Sequence, residues 1–316
     1  MKASAEAICE SSAVDRGWAV VLADLFKARL TSLVLLTTLV GYYCGRQGKA
    51  LDAMLLLHTL GGAATSHPKM LLLHTLGGTG LLACGASALN QYLEREWDSL
   101  MKRTASRPLP AGEMQPLTVL FLGACVSVIG MFWLAVKVNL ITSFLGGLTL
   151  ASYVFIYTPL KRCTPLNTLI GAIPGALPPL MGWSAAYGEV TIAGWSLFGI
   201  LMFWQLPHFL AIAWMYRDEY EQAGYRMLPV VDPTGDQTSR QAVSHCFGLI
   251  PMTLAPFVFR VAGEVYLFGA LILGMFFLWC AIQFARQLTR ESARRLFFAS
   301  IMYLPLLLGL LVLDRN

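Results

Sequence analysis

The sequence predicts an all-α integral membrane protein with about nine transmembrane helices. Three observations predict it. The 316 residues are 56% hydrophobic and 13% charged, with a mean hydropathy of +0.61. A water-soluble chain carries roughly 25% charged residues, so the polar surface needed to face water is missing. Apolar runs of bilayer-crossing length, about 17–25 residues, recur along the whole chain. These runs are long and continuous, whereas barrel strands are short and alternating, so they read as helices.

Taken in order, the runs fall near 29–45, 70–89, 116–135, 140–157, 168–187, 192–213, 243–262, 265–285 and 296–313. With the N-terminus inside, the outer segments carry only Arg46, Lys49, Lys69, Lys137, Arg260 and Arg315. All other Lys and Arg fall on inner segments, the bias expected of cytoplasmic loops. This sets the N-terminus in the cytoplasm, with larger inner loops near 90–115, 158–167 and 214–242.

The organisation is a single polytopic domain over residues 1–316. Residues 1–24 form a polar cytoplasmic segment. Glu6, Glu10 and Asp15, and the lack of a leading apolar core, argue against a cleaved signal or a transit peptide. A bacterial inner membrane is the expected location. MLLLHTLGG occurs at Met54–Gly62 and again at Met70–Gly78, as a tandem duplication would leave it. The first copy is too short to cross and reads as part of an outer-side insertion over 51–69. The net charge of +5 follows from the inner basic loops and their attraction to anionic lipid. No basic soluble module exists to bind nucleic acid. The seven cysteines are scattered, which fits neither a zinc site nor a disulfide framework.

The first chemical cluster lies where the second run meets the inner surface. Asn90, Glu94 and Asp98 are spaced by four, so a helix places them on one face. Repulsion between the acids calls for compensation. A hard divalent cation supplies it: magnesium binds through one or two carboxylates and substrate phosphates. Arg103 and Arg107 follow, also four apart, with forked donors suited to a diphosphate. The plainer alternative is a solvated charged loop capping two spans.

Here the string N-x-x-x-[DE]-x-x-x-D, then M-x-R-T-x-x-R-P-L, resembles the first aspartate-rich motif of the UbiA-type intramembrane prenyltransferases. Glu94 stands where many members carry Asp. The resemblance implies nine helices around a central cavity, and magnesium holding the diphosphate of an isoprenoid donor. Tyr157-Thr158-Pro159-Leu160-Lys161-Arg162 is similar to the second inner loop of the family's heme-modifying branch, which implies that Lys161 and Arg162 face the diphosphate. Trp204-Gln205-Leu206-Pro207-His208-Phe209, then Asp218-Glu219-Tyr220 and Ala223-Gly224-Tyr225-Arg226-Met227-Leu228-Pro229, resembles the same branch and not members acting on hydroxybenzoate or naphthoate.

That resemblance implies transfer of a farnesyl group from farnesyl diphosphate to the vinyl group of heme b, with addition of water. The alternatives are prenylation of a quinone precursor or chlorophyllide, and a non-catalytic heme-handling protein. Implied metal ligands are Asn90, Glu94, Asp98, Asp218 and Glu219, with Mg2+ as cofactor. Asn90, Glu94, Asp98, Lys161 and Asp218 are the implied catalytic set; Arg103, Arg107, Lys161 and Arg162 would bind diphosphate. His208 and Tyr220 are the heme-binding candidates. An imidazole suits iron, although a histidine that only hydrogen-bonds within the helix packing is equally at home there. Heme A synthase is the implied downstream partner, and the active site is expected to face the cytoplasm.

Overall fold

The computed structural model describes residues 16–46 and 67–315. Most of the polar N-terminal segment, and residues 51–66 of the outer-side insertion with its first MLLLHTLGG copy, lie outside the described residues. The second copy is part of a helix.

The described chain is helical, with an isolated antiparallel bridge between Ala262 and Arg315. A short helix α1 (Trp18–Leu25) precedes α2 (Ala28–Gly45). Next come α3 (His67–Asp98), α4 (Pro116–Lys137), α5 (Leu140–Leu160), α6 (Asn167–Tyr187) and α7 (Ile192–Met215). Short helices α8 (Arg217–Gln222) and α9 (Leu228–Val231) fill the loop after α7. Three long helices close the chain: α10 (Asp236–Val258), α11 (Glu264–Gln287) and α12 (Arg290–Leu313).

Among the described residues, eight helices are long and apolar enough to cross a membrane: α3 from Lys69, α4 to α7, and α10 to α12. Helix α2, with 18 residues, reaches span length but is less apolar. Its buried face carries Thr31, Thr37 and Thr38, whose hydroxyls bond to Phe26 O and Val34 O at 2.8–2.9 Å. Leu30 and Leu36 of the same helix face outward, and counting it with the eight gives about the nine expected. Helices α10 and α12 begin several residues before their apolar runs. Asp232 Oδ2 accepts from Thr238 N and Oγ1, and Thr289 with Ser292 forms a capping box, so the polar first turns are stabilised.

Phe121, Phe132, Phe144, Phe268 and Ile272 are more than half exposed. Such a quantity of outward-facing apolar surface fits lipid and not water. The chain divides into two packing regions. In the second, α7 and α10–α12 share one continuous core, including Leu249, Phe277, Phe284, Tyr303 and Leu307, all nearly inaccessible. In the first, α2 and α6 touch backbone to backbone. A Cβ at Gly41 would lie 1.9 Å from Pro179 O, and one at Gly182 would lie 1.9 Å from Thr38 O. Small residues permit this approach, while α2, α3, α5, α6 and α7 enclose a cavity of about 240 Å³.

Candidate active site

The C-terminal end of α3 is regular helix, so the spacing of four brings Asn90, Glu94 and Asp98 onto one face. All three are buried, at 0%, 4% and 1% exposure. Each gives an oxygen to a different cation. Lys27 Nζ donates to Asn90 Oδ1 at 2.5 Å, Lys161 Nζ to Glu94 Oε1 at 2.6 Å, and Arg107 Nη1 to Asp98 Oδ2 at 2.5 Å. Buried charge is tolerated only when paired, and this one-to-one pairing meets that condition.

Local structure aims each cation. Lys27 sits at the α1–α2 corner with φ 47°, a left-handed conformation uncommon outside glycine. The corner is fixed by Gln91, whose amide donates to Asp24 O and Leu25 O at 2.9 Å. Burial, then the nearby Arg107 guanidinium, lower the Lys27 ammonium to about 7. Lys161 behaves oppositely. Burial opposes its charge, but the Glu94 carboxylate and then Tyr157 outweigh it and hold its pKa well above the ordinary lysine value. Arg107 is carried by the 98–115 loop, which folds compactly because Thr104 Oγ1 donates to Asp98 O at 2.7 Å and Gly112 takes a positive φ of 75°. Arg16 braces the same loop through Glu113 and Ser106 O.

Helix α5 changes winding as it reaches the site. Ser152–Tyr157 is a π-helical turn, with the Thr158 N–H and Oγ1 both donating to Tyr153 O. Thr158 Oγ1 in turn accepts from Asn90 Nδ2 at 3.1 Å. Such turns re-aim side chains and are frequent at functional sites. Here the turn sends Tyr153 and Tyr157 into the 240 Å³ cavity, and Lys161 Nζ lies 4.7 Å from the Tyr157 ring centre.

A second cavity of about 370 Å³ opens at the same end of the bundle as these residues. Its lining includes Lys27, Arg103, Arg107, Tyr157, Phe209 and Tyr220. Leu30, Tyr157 and Phe209 line both spaces, so the charged mouth leads to the intramembrane cavity. Arg103 Nη2 donates to Tyr220 OH at 2.7 Å and tethers α8 to the 98–115 loop across the mouth.

Asn90, Glu94, Asp98, Arg107 and Lys161 therefore converge, with Arg103 and Tyr220 at the rim. Other expected residues do not join them. Arg162 is exposed and stacks on Trp97 at 3.9 Å. Asp218 is 83% exposed at its side chain and meets only Arg217, its neighbour in sequence, among the described ion pairs. Glu219 turns inward, with Oε2 buried and unpartnered. His208 packs between Trp204 and Phe297, with ring centres 5.2 and 5.1 Å away. Its Nδ1 meets Ser300 Oγ at 2.7 Å, and it lines neither cavity. Sequence reasoning gives Lys27, Tyr153 and Gln205 no site role, although each lines one of the cavities. The position of Lys27 immediately before the first span, at the level of the other charges, is the one available clue.

No three of His, Cys, Asp or Glu form a ready-made metal cage among the described residues. The donor set nevertheless suits magnesium, which needs few protein ligands beside phosphate oxygens. Asp98 Oδ1 is buried without a partner, as is Glu219 Oε2. Buried, orphaned carboxylate oxygens are the feature a hard cation satisfies.

Residues 34–304 match the UbiA prenyltransferase family. The chain belongs to that family. A protoheme IX farnesyltransferase of Solibacter usitatus is 45% identical over 92% of this chain and 97% of its own length. A mitochondrial protoheme IX farnesyltransferase of Homo sapiens is 37% identical over 92% of this chain and 61% of its own. Among solved structures, a UbiA homolog from Archaeoglobus fulgidus bound to DMAPP and Mg2+ aligns with a TM-score of 0.59 at 14% identity, covering 92% of this chain and 98% of that one. A digeranylgeranylglyceryl phosphate synthase aligns with a TM-score of 0.75 at 13% identity, over 94% and 98%. At these identities the structures establish the UbiA-type fold, and the family is that of membrane prenyltransferases.

Proposed function

We propose that this protein is a heme O synthase: it moves the farnesyl group of farnesyl diphosphate onto a vinyl group of protoheme IX, adds water and releases diphosphate. The observation that carries the donor half is the one-to-one pairing of three buried oxygen ligands with three cations, placed at the mouth of an intramembrane cavity. The acceptor half is supported by the relatives named protoheme IX farnesyltransferase, which align over nearly all of this chain.

Asn90, Glu94 and Asp98 would hold the metal, and Glu219, with its buried Oε2, would supply a further oxygen; Asp218, exposed at its side chain, would have to turn in from solvent. Magnesium, when bound, withdraws charge from the diphosphate and makes it a better leaving group. The chain's cations do complementary work. Lys27, Lys161 and Arg107 exchange their carboxylate and amide oxygens for diphosphate oxygens as the donor enters. They then stabilise the negative charge that grows as the C1–O bond breaks, the kind of electrostatic help that lowers such a barrier most. Arg103 orders the rim, and Arg162 adds field from the surface. The farnesyl chain lies in the 240 Å³ cavity, with the faces of Tyr153 and Tyr157 near its cationic end. His208 belongs to the packing of α7 on α12.

The site faces the cytoplasm of a bacterial inner membrane, with the N-terminus on the same side. The product passes to heme A synthase. Membranes containing the protein, given heme b and farnesyl diphosphate, should form heme O, detected by mass. Farnesylation of hydroxybenzoate in preference to heme would reject the acceptor.

A further inference from the structure

Most of the 240 Å³ cavity is apolar, as a prenyl chain requires, but one wall is not. Gln205 is 4% exposed and sits at the middle of α7, inside the membrane. Burying an amide in such a place is costly unless its groups are satisfied. Its donor end is satisfied: Nε2 donates to Leu201 O at 3.0 Å and to Ala172 O at 3.4 Å. Those two carbonyls fix the orientation of the amide, so Oε1 is the end left over. It accepts no hydrogen bond among the described residues, and it lies against Gly175, where a Cβ would come within 2.0 Å of it. Glycine at 175 is what makes room for the oxygen.

Helix α6 adds acceptors at the same place. Pro178 and Pro179 have no N–H, so the carbonyls of Pro174 and Gly175 lose their helical donors four residues on. Pro174, Gly175, Pro178 and Gln205 all line the cavity. Within a membrane such freed carbonyls persist only where protein or water meets them. On the α3 side, Thr79 Oγ1 is buried and unpartnered and lines the same space. A water held by two to four polar partners is the ordinary occupant of such a wall.

We infer that Gln205 is a positioning residue for the water that ends the reaction. The inference rests on the acceptor being a vinyl porphyrin, as proposed above. When farnesyl C1 leaves diphosphate, it bonds to the terminal vinyl carbon, whose π electrons form the new C–C bond. The inner vinyl carbon is left electron-deficient. The water oxygen then donates a lone pair to that carbon, the C–O bond forms, and the oxonium loses one proton to a second water. The released diphosphate is the final proton acceptor. Gln205 Oε1, accepting a hydrogen bond from the attacking water, turns the lone pair toward the carbon. Without it, the cation loses a proton from the adjacent carbon and yields an alkene that is one water lighter.

The experiment reads the ratio of hydrated to unhydrated product, not the rate. Membranes with the wild type, Gln205→Leu, Gln205→Glu or Gly175→Ala are given heme b, farnesyl diphosphate and magnesium in H2(18)O. Porphyrin products are resolved by mass. The wild type should give the 18O-labelled hydroxyl product. Gln205→Leu should shift the ratio at least about tenfold toward the alkene, Gly175→Ala should shift it the same way by displacing the oxygen, and Gln205→Glu should restore it. An unchanged ratio in Gln205→Leu and Gly175→Ala overturns the inference, as does loss of all product in both while the proteins remain folded by thermal melt. A wild type that makes no farnesylated porphyrin at all rejects the heme O reading instead.

Discussion

The two packing regions of this protein are both built largely from apolar residues, yet they reach opposite ends. In α7 and α10–α12, side chains such as Phe277, Tyr303 and Leu307 interlock into one continuous core. In α2–α6, glycines and prolines draw backbones together at Gly41–Pro179 and Gly182–Thr38, and a cavity lined in part by Pro178 and Met181 stays open beside these contacts. The charged cluster sits at one end of that cavity. The proposed chemistry falls in the hollow region, and α7 of the solid region lines its cavity through Gln205 and Phe209.

This contrast can be broken most sharply at the charged mouth. Excess chelator should abolish turnover in solubilised protein and magnesium should restore it; a full rate under chelation removes the metal from the reaction. Asp98→Asn should lower kcat/KM by at least about 10²-fold with membrane insertion unchanged. Normal turnover would take Asp98 out of the site. Arg107→Gln should cost about 10²-fold and raise KM for farnesyl diphosphate, measured under saturating heme.

Smaller effects test the packing. Gly41→Val forces a side chain into Pro179 O, and should lower unfolding stability by about 3 kcal/mol in detergent melts. A wild-type Tm would mean that α2 and α6 separate freely. His208→Ala removes a ring held between Trp204 and Phe297, and should cost about 2 kcal/mol while leaving heme affinity and absorption unchanged. A lost or shifted heme spectrum would move His208 from the solid region into the reactive one.

Much of the site was legible because helical spacing is rigid. Asn90, Glu94 and Asp98 share a face for the same reason that any residues four apart do. Arg107 follows at a distance that the compact loop can return. The third loop was less legible: Asp218 and Glu219 are adjacent, and only the turn into α8 decides that the second faces inward. His208 illustrates the same limit. It lies one residue before Phe209, about 100° around the helix, and that rotation takes it out of the cavity and onto α12.

By itself, the sequence determined that the chain spans a membrane as helices, and which acids and bases its loops and span ends carry. These follow from composition, from run length and from the fixed period of a helix. Only the tertiary structure decided which cation holds which oxygen, that Lys27 completes the set, and that Gln205 turns an oxygen into an apolar cavity. Those facts depend on how separate helices are rotated and how closely they approach, and backbone contacts at a few glycines set both.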